Sequence, residues 1–278
     1  VVITTKKRAT GNRVNVSLSA TLTFSPNKLY SSHLASAADI VGLEKEWAAN
    51  NPNLQGEGAK DYALSTLNNA IYPSAGIQSI LNYHAGKISQ SQMDETLSNL
   101  AKKGYNYFDQ VQKYGRRAAF YQQYNLSILK SSDRNDFKAS VTYKRNKEHD
   151  IYTDNNDFGL QLNNTTQIAK WLSLDLGAYI NYGNQNLQNY DLLSPGYTAL
   201  PYDDLVNADG SPYTRPMNLL LPDYSIATIE PYGLQKMHIT PLEEAANQQV
   251  NNKSIGVRTD ARINLKFTDW LKYSASVQ

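Results

Sequence analysis

Alternation of apolar and polar residues is the dominant pattern along the chain, and segment 171–182 shows it best. Its even-numbered positions are apolar, and its odd-numbered positions from Ser173 onward are polar or glycine, with Tyr179 as an ambiguous member. Successive side chains of a β-strand point to opposite faces, so the alternation predicts a strand with one apolar face. The apolar positions are Leu172, Leu174, Leu176, Ala178, Ile180 and Tyr182.

The same period of two recurs in six further segments, which gives seven predicted strands in all. Most of them are as long as the roughly 9–11 residues that a tilted strand needs to cross a bilayer. A half-buried strand of a soluble sheet has the same alternation, so a single segment decides nothing. The predicted strands are 13–24, 118–130, 136–147, 157–167, 171–183, 256–267 and 270–278.

The connections between these strands alternate between long and short. Outer-membrane barrels have tight periplasmic turns and long extracellular loops, so the alternation favours an up-and-down barrel. A soluble sandwich has no reason to collect its long loops at one end. The predicted extracellular loops are 25–117, 148–156 and 184–255, and the predicted periplasmic turns are 131–135, 168–170 and 268–269.

The alternation also assigns side chains to the two faces of the predicted barrel. Apolar positions should face lipid, and polar positions should face the lumen. Trp171 and Trp270 each follow a tight turn, where an indole ring suits the membrane–water boundary, so we predict both as girdle residues. In a soluble sheet they would be two half-buried hairpin tryptophans. We expect lipid at Leu174, Leu176, Ile180, Ile263 and Leu265, and the lumen at Asp175, Arg258, Asp260, Arg262 and Lys266.

Composition excludes several other classes of protein. The net charge of +2 provides no electrostatic footprint for nucleic acid, and the absence of cysteine excludes a disulfide framework. No apolar run approaches the ~18 residues of a transmembrane helix. The mean hydropathy of −0.54 suits a barrel with a polar lumen and large loops, and it equally suits a soluble protein.

Helices are predicted within the first long connection, over 35–50 and, with a weaker pattern, over 59–70. A further helix is expected where Ser91-Gln92-Met93-Asp94 resembles a capping box, with Gly104 as its stop signal. We expect these helices to pack on one another rather than to bind a cofactor.

The second long connection is rich in tyrosine. Flat aromatic rings can cover a sugar face or a peptide, so we predict contact with a ligand or a lid here. The alternative is that the tyrosines only fill the core of the loop. The candidate contact residues are Tyr190, Tyr197, Tyr202, Tyr213 and Tyr232.

No catalytic or metal-binding pattern stands out in the chain. The acidic residues near Asp203 and Asp209 lack the spacing of an EF-hand, and Ala208-Asp209-Gly210-Ser211 predicts a hairpin turn instead. The four histidines are dispersed, and no nucleophile, metalloprotease or P-loop motif is present. We therefore expect no enzyme activity, no cofactor and no metal.

Several short motifs, taken in order, resemble one family. Val2-Ile3-Thr4-Thr5-Lys6-Lys7 resembles the last plug strand of the SusC/RagA-like TonB-dependent outer-membrane transporters. Tyr124-Asn125-Leu126-Ser127-Ile128 resembles the family's "hNLSxSGGS" motif, although Leu129-Lys130-Ser131 replaces Ser-Gly-Gly. Later matches extend the resemblance over nearly the whole chain. They are Pro201-Tyr202-Asp203 with Asp209-Gly210-Ser211-Pro212, and Pro241-Leu242 with Trp270-Leu271-Lys272.

This resemblance implies an all-β fold with helical loop insertions, as part of a plugged transmembrane antiparallel barrel of roughly 22 strands. Residues 1–12 would end the plug and link it to the barrel, and residues 13–278 would form the N-terminal part of the barrel. The resemblance also implies TonB as energy source, acting through a missing N-terminal region. A SusD-like surface lipoprotein would deliver an oligosaccharide or peptide ligand. The protein would lie in outer-membrane lipid of a Gram-negative bacterium.

Both ends of the chain resemble cut ends. The chain opens on Val1 without a signal peptide and stops in a strand-like run at Gln278, so we expect a longer polypeptide. Seven strands cannot close a bacterial barrel, which needs an even number. The alternative function is a secreted β-rich glycan-binding or adhesion module without a transport role. A plug and further strands in the flanking sequence would favour the transporter.

Overall fold

Seven long strands form one antiparallel sheet in this computed structural model, which describes residues 13–29, 33–68, 73–194, 199–216 and 238–278. The strands are β1 (Arg13–Ser25), β2 (Ala119–Ser131), β3 (Asn135–Lys147), β4 (Asp154–Ala169), β5 (Leu172–Gln188), β6 (Arg215–Pro216), β7 (His238–Ile239), β8 (Gln249–Lys266) and β9 (Lys272–Val277). Their order in the sheet is β1-β2-β3-β4-β5-β8-β9, and β6 pairs with β7 in a separate ribbon. The predicted all-β fold with helical insertions is confirmed. The sheet does not close on itself within the described residues.

The helices lie in the two long connections. They are α1 (Ala37–Asn50), α2 (Ala59–Leu67), α3 (Ala75–His84), α4 (Gln90–Ala101), α5 (Asn106–Gln110) and α6 (Pro241–Asn247), with a 3-10 turn at Pro52–Leu54 and a π turn at Val111–Gly115. None of the described helices is both long and apolar enough to cross a bilayer.

All seven predicted strands are present, but three of them are longer than their apolar alternation indicates. β5 continues to Gln188, and β8 already begins at Gln249. Polar side chains hold these extensions together: the Asn251 amide donates to the side-chain oxygens of Asn184 at 3.0 Å and Asn186 at 2.5 Å. β4 likewise begins at Asp154, ahead of its first apolar residue. The hydrogen-bonded strands are thus longer than the segments in which apolar and polar residues alternate.

Strand register aligns the apolar positions of neighbouring strands in rows. Directly paired residues share a face of the sheet. One row therefore runs from Leu18 through Leu126, Val141 and Leu160 to Ile180. The predicted split into an apolar and a polar face extends across β1 to β5.

The chain divides into two compact units. The sheet unit comprises Val1–Pro26, Ala118–Leu187 and Val250–Gln278, and the loop unit comprises Asn27–Arg117 and Gln188–Gln249. The loop unit has its own core, in which Tyr202 joins aliphatic residues of the helices. The buried members of that core are Ala37, Val41, Leu54, Ala63, Ile80, Leu81, Ala85, Leu97 and Tyr202. The predicted packing of the helices on one another is confirmed.

Side-chain caps fix the starts of the main helices. Ser36 caps α1 in a capping box with Asp39, close to the predicted start. The predicted box at Ser91 is wrong, since α4 begins two residues earlier with Ser89 as its cap. Ser89 is the cap because it places Gln92 at the third helical position, where the Gln92 side-chain oxygen accepts a hydrogen bond from the Ser89 N–H at 2.8 Å. α3, which the sequence pattern did not predict, starts at a third such cap, Ser74.

Candidate functional site

One face of the sheet unit is apolar and open. Leu18 on β1 is 74% exposed, and Val16 and Phe24 on the same strand are also well exposed. A soluble monomer rarely leaves so wide a contiguous apolar surface uncovered, so this face is a candidate contact surface for lipid or protein.

Four aromatic rings stand side by side along one row of this face. Tyr124 pairs with Tyr143, Tyr143 with Phe158, and Phe158 with Tyr182. Each ring is partly exposed. The Tyr124 hydroxyl donates to Gln122 at 3.2 Å, and on β2 to β5 the next row beyond the rings is polar, whereas β1 continues with apolar Leu22. The rings therefore mark the boundary between an apolar band and a polar end of the face, as an aromatic girdle does.

The apolar band below this row matches the thickness of a membrane. Every second residue from 172 to 182 of β5 is apolar, and this stretch rises roughly 33 Å along the strand at about 3.3 Å per residue. With a tilt of about 45°, they would cover roughly 23 Å of depth, close to the ~25 Å band of known barrels.

The two predicted girdle tryptophans lie at the opposite end of the strands. Trp171 precedes β5 and is 55% exposed, and Trp270 precedes β9 and is 83% exposed. The Trp171 carbonyl accepts a hydrogen bond from the Lys266 N–H at 2.8 Å, which joins the start of β5 to the end of β8. Their role at a membrane boundary stays a prediction.

The opposite face of the sheet is polar and internally hydrogen-bonded. The Asn264 amide donates to Asp175 at 2.8 Å, and Thr142 donates to Asn125 at 3.0 Å. Tyr179, whose side was ambiguous from the sequence, lies on this face, where its hydroxyl donates to Asn163. The Arg258 guanidinium carbon lies 4.0 Å from the centroid of the Tyr179 ring in a cation–π contact. Asp175 and Arg258 thus lie on the polar face, as predicted.

Glycine makes room for charged groups on this polar face. The Asp260 carboxylate of β8 occupies the space that a Cβ atom at Gly177 would take. A side chain there would displace the carboxylate. A shallow groove of about 420 Å³ runs nearby and is lined by Ser140, Thr142, Lys144, Asp157, Gln161 and Asn181, among others.

The loop unit contains a second cleft, with a volume of about 600 Å³. α1 supplies Leu43 and Trp47 to its wall, and Tyr202 and Tyr213 line it from the second long connection. Apolar side chains line most of it, and a few charged groups converge on it, as in small-molecule and peptide sites.

A buried carboxylate lies in the wall of this cleft. Glu44 is 6% exposed, and its Oε1 accepts hydrogen bonds from the Ser74 and Tyr202 hydroxyls. The carboxylate lies at the start of α3, where the helix dipole favours a negative charge. Burial and the bond to Glu44 raise the pKa of the Tyr202 phenol well above its usual value.

Two ion pairs line the rest of the cleft. Lys103 Nζ lies 2.8 Å from Asp204, and Arg215 lies 3.1 Å from Asp203. Burial raises the pKa of Asp203, and the neighbouring Arg215 guanidinium opposes that shift. Most polar groups of the cleft are thus already paired with one another.

The predicted contact tyrosines occupy different positions. Tyr202 is 1% exposed and Tyr190 is buried, whereas Tyr213 is half-buried beside the cleft. Tyr197 and Tyr232 lie outside the described residues. The structure thus brings Tyr202 and Tyr213 together at one cleft. Sequence reasoning missed Glu44 and Trp47 as site residues, because it placed them only within the predicted helix 35–50.

The predicted hairpin turn at 208–211 is confirmed. Gly210 has a φ of +85°, and its N–H donates to the Asn207 carbonyl at 2.9 Å. The Ser211 N–H and hydroxyl both donate to Asp209, and they lower the pKa of that carboxyl. Across the described residues, no three His, Asp or Glu side chains come close enough together to hold a metal ion.

A solved structure with a similar fold is known, although no protein-family model and no curated protein matches the chain. It is the structure of the RagAB peptide importer in the "closed-closed" state, with a TM-score of 0.58 and 13% sequence identity. The likeness covers 98% of this chain and 28% of that one. At this identity the likeness concerns the fold alone, and the chain spans less than a third of the matched protein.

Proposed function

We propose that this chain forms part of the transmembrane barrel of an outer-membrane importer, with its apolar face toward lipid and its polar face toward the lumen. The observation that carries the proposal is the open apolar band, which ends at the aromatic row of Tyr124, Tyr143, Phe158 and Tyr182. Such a band suits a bilayer, and the hydrogen-bonded polar face suits a wet interior.

We infer further that the importer is of the SusC/RagA-like class. Residues 1–12 would then end the plug, and loops 25–117, 148–156 and 184–255 would be extracellular. TonB would supply energy through a preceding region, and a SusD-like lipoprotein would close the outer end. The order of the sequence motifs supports this assignment, as does the fold that the chain shares with part of a peptide importer. Of the two ligand classes, that likeness favours peptides over oligosaccharides.

The cargo would pass without chemical change, so we propose transport and no catalysis. Localisation and uptake of the full-length polypeptide test the proposal. Cells that express it should carry it in the outer-membrane fraction and take up labelled peptides, and dissipation of the proton-motive force should abolish uptake. Recovery of the protein from the culture medium, without any change in uptake, would instead identify a secreted binding or adhesion module.

A further inference from the structure

The cleft of the loop unit offers an accessible apolar wall. Trp47 is 37% exposed and Leu43 is 59% exposed, and both belong to the same helix as the buried Glu44. Leu100 and Leu200 continue the apolar lining. An exposed indole beside aliphatic side chains is suited to receive another apolar group.

Most hydrogen-bonding groups of the cleft are engaged with one another. Lys103 is paired with Asp204, Arg215 with Asp203, and the Tyr202 hydroxyl with Glu44. A sugar presents many hydroxyl groups, each of which needs a partner when it is buried. A cleft whose polar groups are already paired therefore favours an apolar side chain over a sugar ring.

The charges of the cleft leave a negative excess. Among the described residues, its lining contains three carboxylates, Glu44, Asp203 and Asp204, against the two cations Lys103 and Arg215. Asp203 and Asp204 each have a cationic partner, whereas the partners of Glu44 are neutral hydroxyls. Its second oxygen, Oε2, has no hydrogen-bond partner among the described residues and is itself buried, so Glu44 acts on the cleft through its charge and not through direct contact. This field favours a cation at the cleft.

We propose that the cleft is a docking site for a peptide that carries a cationic residue next to an apolar one. The apolar side chain lies against Trp47 and Leu43, and the cation lies in the field of Glu44. This inference rests on the proposed function, since it names a ligand class and a contact site for the same importer.

Binding of labelled peptides to the purified full-length protein tests the proposal. The probes are short Gly/Ser peptides that contain one Leu-Lys step, with Leu-Glu and Ser-Lys versions for comparison and a glucose oligosaccharide as the sugar probe. The Leu-Lys peptide should bind about tenfold more tightly than either comparison peptide. Its advantage over Leu-Glu should shrink in high salt, because salt screens the charge interaction.

Variants on one helix supply the matched control. Trp47→Ala should weaken Leu-Lys binding by about fivefold or more, as loss of an interface anchor does. Lys45→Ala alters an exposed residue of the same helix that does not line the cleft, and it should bind like the parent. Glu44→Gln keeps the hydrogen-bond acceptor but removes the charge, so it should lose the preference for Lys over Glu.

The outcomes separate this proposal from the proposed function. Equal binding by Trp47→Ala and Lys45→Ala, in a protein that still imports peptides, would overturn the cleft proposal alone. Trp47-dependent binding of the oligosaccharide but not of the peptides would replace the peptide by a sugar. Failure of the parent to import any peptide would overturn the proposed function itself.

Discussion

Tyr202 donates a hydrogen bond of 2.6 Å to Glu44, although 158 positions separate the two residues in the sequence. Both side chains are buried, and Ser74 at the start of α3 donates to the same carboxylate oxygen. One carboxylate thus ties together α1, α3 and the second long connection.

Loss of the Tyr202 hydroxyl should loosen the loop unit locally. Tyr202→Phe leaves a buried carboxylate with one donor fewer, which costs about 1–3 kcal/mol. Hydrogen exchange should therefore be faster in α1 (Ala37–Asn50). Tyr105→Phe is the control, because its long, exposed bond to the Leu34 carbonyl contributes little. Equal protection in the two variants would contradict this role.

The same tyrosine should make the loop unit sensitive to alkali. The pKa of Tyr202 is raised in the folded state. In the unfolded chain the phenol has an ordinary pKa of about 10, so it loses its proton at a lower pH than the folded phenol does. The contribution to the free energy of unfolding is therefore fully present below about pH 10 and is lost as the pH rises further. Protection of α1, followed upward from pH 9, should fall more steeply in the parent than in Tyr202→Phe.

Two glycines of the loop unit should respond to alanine in opposite ways. A Cβ atom at Gly76 would fall on the Glu44 carboxylate, so Gly76→Ala should destabilise the unit by about 1–3 kcal/mol. Gly42 lies within α1 with nothing near its potential Cβ atom, and Gly42→Ala should stabilise by roughly 0.5–1 kcal/mol. Denaturant unfolding measures both changes. Changes of the same sign in the free energy of unfolding would refute the packing assigned to the two glycines.

The membrane orientation of the sheet can be tested at adjacent positions. Leu176 lies midway along the apolar stretch of β5, so Leu176→Arg should cost about 2–4 kcal/mol of folding free energy in lipid. Asp175 lies on the polar face and bonds to Asn264, so Asp175→Arg should cost much less, about one hydrogen bond. Unfolding in lipid vesicles gives both costs, and equal values would refute the assignment of the two faces.

Surface labelling tests the direction of the strands across the membrane. The chain contains no cysteine, so single cysteines give a clean signal in it. Asn53 and Ala208 are exposed positions of the two long connections, and Asp133 is an exposed position of the turn between β2 and β3. An impermeant reagent on whole cells should label positions 53 and 208 but not 133. Strong labelling at position 133 in intact cells would refute the predicted direction of the strands across the membrane.

Strands were predictable because their hydrophobic pattern repeats at short range. The end of β5 and the start of β8 were not predictable, because the side-chain amides of Asn184 and Asn251 pair there and no alternation of apolar residues marks the segment. The aromatic row was equally hidden, because only the register shows that Tyr143 and Phe158 are neighbours.

The cleft could not be predicted from the sequence, because its residues are also brought together only by folding. Glu44, Lys103 and Arg215 lie far apart in the chain and meet only when the loop unit folds. Tyr202 was predicted from the sequence to contact a ligand or a lid, and it lies in the cleft wall, yet its burial against Glu44 gives it a packing role that tyrosine content alone could not indicate. Its contact with a ligand stays a prediction.

The strictly sequential order of the seven long strands bears on how the sheet is assembled. Each new strand pairs with the long strand made just before it, so the sheet can grow in chain order, by hairpins within β2 to β5 and across long insertions between β1 and β2 and between β5 and β8. The entropy lost in closing a connection grows only with the logarithm of its length. Closing the large insertion between β5 and β8 therefore costs about 2–3 kcal/mol more than closing a short hairpin loop. Within the described residues, β1 and β9 are the two edge strands of the sheet, each with one neighbour.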